Sequence, residues 1–137
     1  MHRKSRGGNS LVESTLVLMV FLTLLFSVFD FGWVLFEHHT ILNQARGAAR
    51  FAAIHPEDLT ALQNMVLYGQ ATAPPRKATG IFGLQPAMVN VSRTDEWTPE
   101  DRIVIAISGY QYTVITPFMA GRFTGRPIEV SSPVETQ

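Results

Sequence analysis

The chain has 137 residues, eleven basic and eleven acidic side chains, a net charge of zero and no cysteine. With a long N-terminal helix set aside, about 80 residues remain, enough for one small domain with a modest core. The absence of cysteine excludes a disulfide framework and a thiolate metal site and leaves the redox compartment open.

Arg3, Lys4 and Arg6 precede an apolar stretch, and the next basic residue is Arg46. From Ser14 to Phe29 there is neither charge nor proline; Glu13 and Asp30 flank this run, and apolar character resumes to Phe36. A hydrocarbon core of about 30 Å takes roughly 20 apolar helical residues, so residues 11–36 can span it. A lone segment in lipid must pair its own backbone groups and is therefore a helix. Basic residues on the short N-terminal side predict a cytoplasmic N-terminus, with the bulk of the chain outside. A secretory signal peptide would have a shorter apolar core followed at once by small residues. Here Asp30, Phe31, Gly32 and Trp33 follow instead.

Glu13, just inside the apolar run, needs a reason, because a carboxylate in lipid is costly. The Ser10-Leu11-Val12-Glu13 sequence fits a capping box, with Ser10 as N-cap and Glu13 at the third helical position. The wider pattern is a basic leader, Gly7-Gly8, four residues, Glu13, then an uninterrupted apolar helix. It resembles the class III signal of type IV pilins and pseudopilins. That resemblance implies cleavage by a prepilin peptidase between Gly8 and Asn9. It also implies that Glu13 of one subunit pairs with the new α-amino group of Asn9 on a neighbour, where an unpaired charge would be expensive. A capping role in the monomer is compatible with this.

All eight prolines lie at or beyond Pro56, so helix can run from about Ser10 to Ile54. Beyond the apolar run it turns amphipathic: Ile41, Ala45, Ala48 and Ala52 fall on one face, Asn43, Arg46 and Arg50 on another. Small residues at Ala45, Ala48, Ala49 and Ala52 suit close helix packing, either in a filament or on the chain's own C-terminal domain. Trp33, Phe36, His38 and His39 read as an interfacial belt, and Asp30 as lying near the outer interface. Glu37, His38 and His39 are adjacent on a helix and cannot converge on a metal.

Glu13, the Asp30-Phe31-Gly32 trio and the segment from Asn43 to Ala53 together are similar to the N-terminal region of TadE-like proteins of the tight-adherence (Flp, type IVc) pilus system. The resemblance implies a minor pilin or pseudopilin of the inner membrane that serves pilus assembly and surface attachment, either held in that membrane or incorporated into an extracellular pilus. Its implied partners are the prepilin peptidase, other pilin subunits, an inner-membrane assembly platform and membrane lipid, with no cofactor. Loss of residues 1–8 would leave eight basic against eleven acidic residues and no basic footprint for nucleic acid.

In the C-terminal part, Pro56-Glu57-Asp58 opens a short helix that Gly69 ends. Residues 71–80 read as a loop, its PPRK segment an exposed connector. Alternation then predicts strands over 88–93, 102–115 and 127–134, with residues 94–101 a polar turn and 119–126 a glycine-containing connection. Tyr110 and Tyr112 read as sheet packing, with an aromatic surface platform, Trp97 included, as the alternative. The expected fold is α+β: a leader (1–8), a long helix (9–54) that is transmembrane then amphipathic, and a domain (55–137) whose antiparallel sheet of about three strands packs on that helix.

No nucleotide loop, metal-binding helix pair or nucleophile turn is present. The acidic pairs Glu57-Asp58, Asp95-Glu96 and Glu100-Asp101 read as helix starts and solvated turns. Nothing in the pattern brings His55, Ser108 or Ser131 together as an enzyme would require. The rival to the pilin reading is an uncleaved, N-terminally anchored periplasmic binding module; a secretion-system pseudopilin is a third.

Overall fold

A computed structural model of the chain describes residues 7–76, 78–95, 100–114, 116 and 121–134. Helix α1 runs from Gly7 to Ala52, 46 residues and about 69 Å at 1.5 Å per residue. It begins before Ser10, so the expected capping box is not formed: residues 7–9 continue the helix, and the Ser10 carbonyl accepts the Ser14 hydroxyl at 2.9 Å. Helix α1 ends two residues earlier than expected. The Ile54 and His55 amides both fold back onto the Phe51 carbonyl at 3.1 and 3.0 Å, because the residue before Pro56 is driven out of helical geometry.

Helix α2 spans Leu59–Tyr68, with Asp58 as N-cap rather than Pro56 as first residue. The Asp58 carboxylate accepts the Ala61 amide at 2.9 Å, and Gly69, left-handed at φ 73°, closes the C-terminus as expected.

Five strands follow: β1 Val89–Thr94, β2 Arg102–Ile107, β3 Gln111–Val114, β4 Gly121–Thr124 and β5 Ile128–Pro133. β2 is central, with β1 and β5 antiparallel on either side, and this three-stranded sheet packs on α1. The single strand expected over 102–115 is broken at Ser108-Gly109, where Gly109 adopts φ 75°. Its second part becomes β3, which pairs with β4 in a separate ribbon, so the connection expected over 119–126 contains a strand. Residues 96–99 of the turn expected over 94–101, and residues 119–120 of the connection expected over 119–126, lie outside the described residues.

The core lies between the outer half of α1, α2 and the sheet. Ile103, Ile105 and Ile107 of β2 are fully buried, as period-two alternation requires. They meet Val89 and Ile128 from the neighbouring strands and Ile41, Ala45, Ala48, Ala49 and Ala52 from α1. The Glu100-Asp101 pair is not simply a solvated turn. Asp101 is 3% exposed and takes a two-pronged ion pair from Arg93 across the β1–β2 ladder, with its Nε–H donating at 2.9 Å.

Candidate functional site

Helix α1 divides into two stretches. From Leu11 to Phe29 its side chains lie on the outside of the fold, with only Thr23 half-covered. Those residues occupy about 28 Å of helix, the thickness of a bilayer core. The hydroxyls in this stretch are satisfied within the helix. Thr15, Thr23 and Ser27 each donate at 2.8 Å to the carbonyl four residues before, so they carry no unpaired polar group into an apolar surrounding. Glu13 is exposed on this surface and, among the described residues, forms no ion pair. Gly8 and Asn9 fall in the first turns of α1.

At Asp30 the surroundings change. Its carboxylate accepts both the backbone N–H of Thr116, at 2.7 Å, and the Thr116 hydroxyl. This contact, between residues 86 apart in sequence, fastens the end of β3 to α1 just beyond the apolar run. An apolar cavity of about 320 Å³ lies between helix and ribbon, with Phe31, Val34, Val114 and Phe123 among its walls.

One and two turns further on, Trp33 donates its indole N–H to Glu37 at 2.8 Å. Glu37 is 8% exposed, and burial pushes its carboxyl above the usual range, the Trp33 hydrogen bond opposing this in smaller measure. His38 turns to the ribbon. Tyr110 donates to the Arg126 carbonyl at 2.7 Å and Tyr112 to the Tyr110 hydroxyl at 3.3 Å. With both phenolic protons committed, His38 Nδ1 acts as donor to the Tyr112 oxygen at 3.0 Å. The two rings meet edge-on at 5.3 Å, and burial, then the Tyr110 hydrogen bond, pushes the Tyr112 phenol up. A Cβ at Gly125 would come within 2.1 Å of the Tyr110 ring, so glycine is what allows β4 to turn past it. Tyr110 and Tyr112 therefore pack beneath the surface; Trp97 lies outside the described residues.

Ala45, Ala48, Ala49 and Ala52 are all buried within the chain, on the side of α1 that receives α2 and the sheet, while Asn43, Arg46 and Arg50 are exposed. Of the two packings that the sequence leaves open for these alanines, the one on the chain's own domain is present here. His39 is exposed and His38 is engaged with Tyr112; among the described residues no three metal-ligating side chains cluster.

Sequence reasoning anticipated the alanine face but missed the partners of Asp30, Glu37 and His38. The signal for the ribbon was a change of phase: buried positions in 103–107 are odd-numbered, then Tyr110 and Tyr112 are even. A one-residue shift across a glycine marks a break in a strand.

These features define a class: an α+β domain built onto the outer half of a single long helix, whose apolar N-terminal half fits a single-pass membrane anchor. The family model described as TadE-like protein matches residues 8–50, which cover this helix almost to its end. Over residues 8–50 the chain is thus similar to TadE-like proteins, which supports the resemblance to the tight-adherence pilus system drawn from its sequence. No curated protein and no solved structure matches it.

Proposed function

We propose that this chain is a minor pilin, or pseudopilin, of a tight-adherence type IVc pilus and that it acts in assembly rather than in catalysis. It is made as a precursor in the inner membrane, with residues 1–8 cytoplasmic and the α+β domain periplasmic. A prepilin peptidase cuts between Gly8 and Asn9. Before assembly the Leu11–Phe29 surface is covered by lipid; after it, by the helices of neighbouring subunits at the assembly platform. Glu13 then pairs with the α-amino group of Asn9 on the adjacent subunit.

The observation that carries this reading is a lopsided helix. Its outer half fills the core of the chain's own domain, whereas Leu11–Phe29 stands outside the fold with one carboxylate near its start. An apolar surface of that length requires a cover from elsewhere, and a carboxylate within it requires a cation. The match of residues 8–50 to the TadE-like family supports the tight-adherence setting.

Intact mass and N-terminal sequencing of the protein from native membranes test the proposal. A chain that begins at Asn9, and that stays uncut when Gly8 is replaced by a bulky residue, is the expected result. Glu13→Ala is expected to abolish incorporation into pili while leaving membrane insertion intact. A chain that begins at Met1 and functions normally with Glu13→Ala would instead mark an uncleaved anchored binding module.

A further inference from the structure

The turn at Ile81–Gly83 presents an aromatic side chain where a fold would ordinarily hide one. Ile81 is half-buried against the core, Leu84 is 1% exposed, and the Leu84 amide donates to the Ile81 carbonyl at 3.0 Å. Between these two pins Phe82 adopts φ 50° and Gly83 φ 75°, so the chain folds tightly enough to turn the Phe82 ring outward. A bulky residue at positive φ is uncommon and persists only where its surroundings impose it. The ring does not return to the domain's core. It meets α1 instead, edge-on to Phe36 at 5.8 Å and to Trp33 at 6.3 Å, while Trp33 and Phe36 lie 5.7 Å apart. All three remain substantially exposed: Phe82 36%, Trp33 51% and Phe36 55%.

The position of this three-ring cluster specifies its surroundings. Trp33 and Phe36 lie about 6 and about 10 Å along the axis beyond Phe29, the depth of the headgroup layer outside a core of about 30 Å. A shallow apolar depression made by Val28, Phe29, Gly32, Trp33 and Phe36 joins the cluster to the apolar run without interruption. Amphipathic aromatic rings collect at that level, and a ring supplied by a loop some 50 residues away places the domain there as well.

We propose that the Ile81–Gly83 turn is a lipid-contacting element, with Phe82, Trp33 and Phe36 together seating the α+β domain on the phospholipid interface where α1 leaves the bilayer. The inference rests on α1 being membrane-spanning but not on pilus assembly or on cleavage. Its consequence is a fixed depth: helix and domain share one aromatic collar, so the domain rests on the bilayer rather than swinging above it.

The test uses the full chain in phosphatidylcholine–phosphatidylglycerol vesicles, with bromines placed high on the acyl chains as quenchers. Trp33 and Trp97 are the chain's two tryptophans. Three single-tryptophan proteins are compared: Trp33 itself in W97F; Phe82→Trp in a W33F/W97F background; and Leu18→Trp in the same background as a marker of the span. The expected result is a blue-shifted indole at position 82, quenched to within about twofold of Trp33. A solvent-like, unquenched indole at 82 beside a quenched one at 18 would overturn the docking proposal and leave the span intact. Failure of both would overturn the span itself, and the docking with it. A blue shift at 82 that grows with protein density without lipid quenching would assign the surface to a second copy and also overturn the proposal. Because the chain has no cysteine, a nitroxide on Phe82→Cys gives a second reading. Oxygen accessibility exceeding that of a water-soluble nickel reagent supports docking; the reverse order rejects it.

Discussion

The two halves of α1 share one backbone and differ in what surrounds them, and their composition follows the surroundings. In residues 11–29 large side chains point outward all round, with Phe21 58%, Leu24 63% and Val28 71% exposed. In residues 41–52 the outward positions carry Asn43, Arg46 and Arg50, and the inward ones shrink to alanine so that α2 can approach closely. Burial in the second half is a property of the fold, whereas the first half has none within the chain and fits a medium that would supply it. The same leucine or alanine therefore has different energetic weight on either side of Asp30, where the Thr116 contact marks the change.

The largest expected effect comes from shortening a side chain in the outer half. Ile41 is 1% exposed within the core, so Ile41→Ala should destabilise the domain by about 2–5 kcal/mol. Thermal melting of the detergent-solubilised chain should fall by about 10 °C or more for a domain of this size. Leu18→Ala, a similar truncation at a residue 54% exposed, should leave that melt unchanged. Equal losses at both sites would mean that the halves do not differ as described.

Charge sharpens the contrast from the other side. Leu18→Arg places a cation near the middle of the span and should cost about 2.5–3.5 kcal/mol of insertion. The carbonate-resistant membrane fraction should drop accordingly, while whatever domain is made should still melt at the wild-type temperature.

How much of this could be read beforehand depended on how local the cause was. The long helix was legible because a charge-free run, the absence of proline before Pro56 and the spacing of Ala45, Ala48 and Ala52 are properties of neighbouring residues. Gly69 was legible for the same reason, as a cap acts within one turn, whereas Asp58 was expected only as one of the residues that open α2 and not as its N-cap. The Asp30–Thr116 and His38–Tyr112 contacts join residues 86 and 74 apart, and nothing near either partner announces the other. The Arg93–Asp101 pair needed the β1–β2 register, which sets Arg93 opposite Ile103 and brings the start of β2 alongside. Phe82 carried no local signal, because phenylalanine is not a residue that favours positive φ; its conformation is imposed by Ile81 and Leu84 on either side. What escaped was thus mostly the set of contacts that fix the domain to the helix.

Glu37 stands just past the junction and should report it through pH. Its carboxyl is raised by burial, so the folded chain holds this proton more tightly than the unfolded chain does. The contribution to stability is greatest below the ordinary Glu range and declines as pH rises through the interval up to the raised value. Glu37→Gln keeps an oxygen to accept the Trp33 indole N–H and removes the titration. Melting temperatures taken from about pH 4 to about pH 7 should therefore fall further in the wild type than in Glu37→Gln. Curves that stay parallel would show that Glu37 is hydrated in solution.

The smallest expected effect separates a need of the fold from a need of the assembly. Gly47 lies in the outer half of α1, partly buried, and a Cβ there would meet nothing within 4 Å. Glycine inside a helix costs about 0.5–1 kcal/mol relative to alanine, so Gly47→Ala should raise the domain's melting temperature by about 2–8 °C. Such a gain alone means that the space at Gly47 is open in the working protein too. A gain in melting temperature accompanied by a loss of pilus incorporation would mean that a neighbouring helix comes close at that point. The outer half would then carry an intermolecular contact of its own, as we propose for the apolar half.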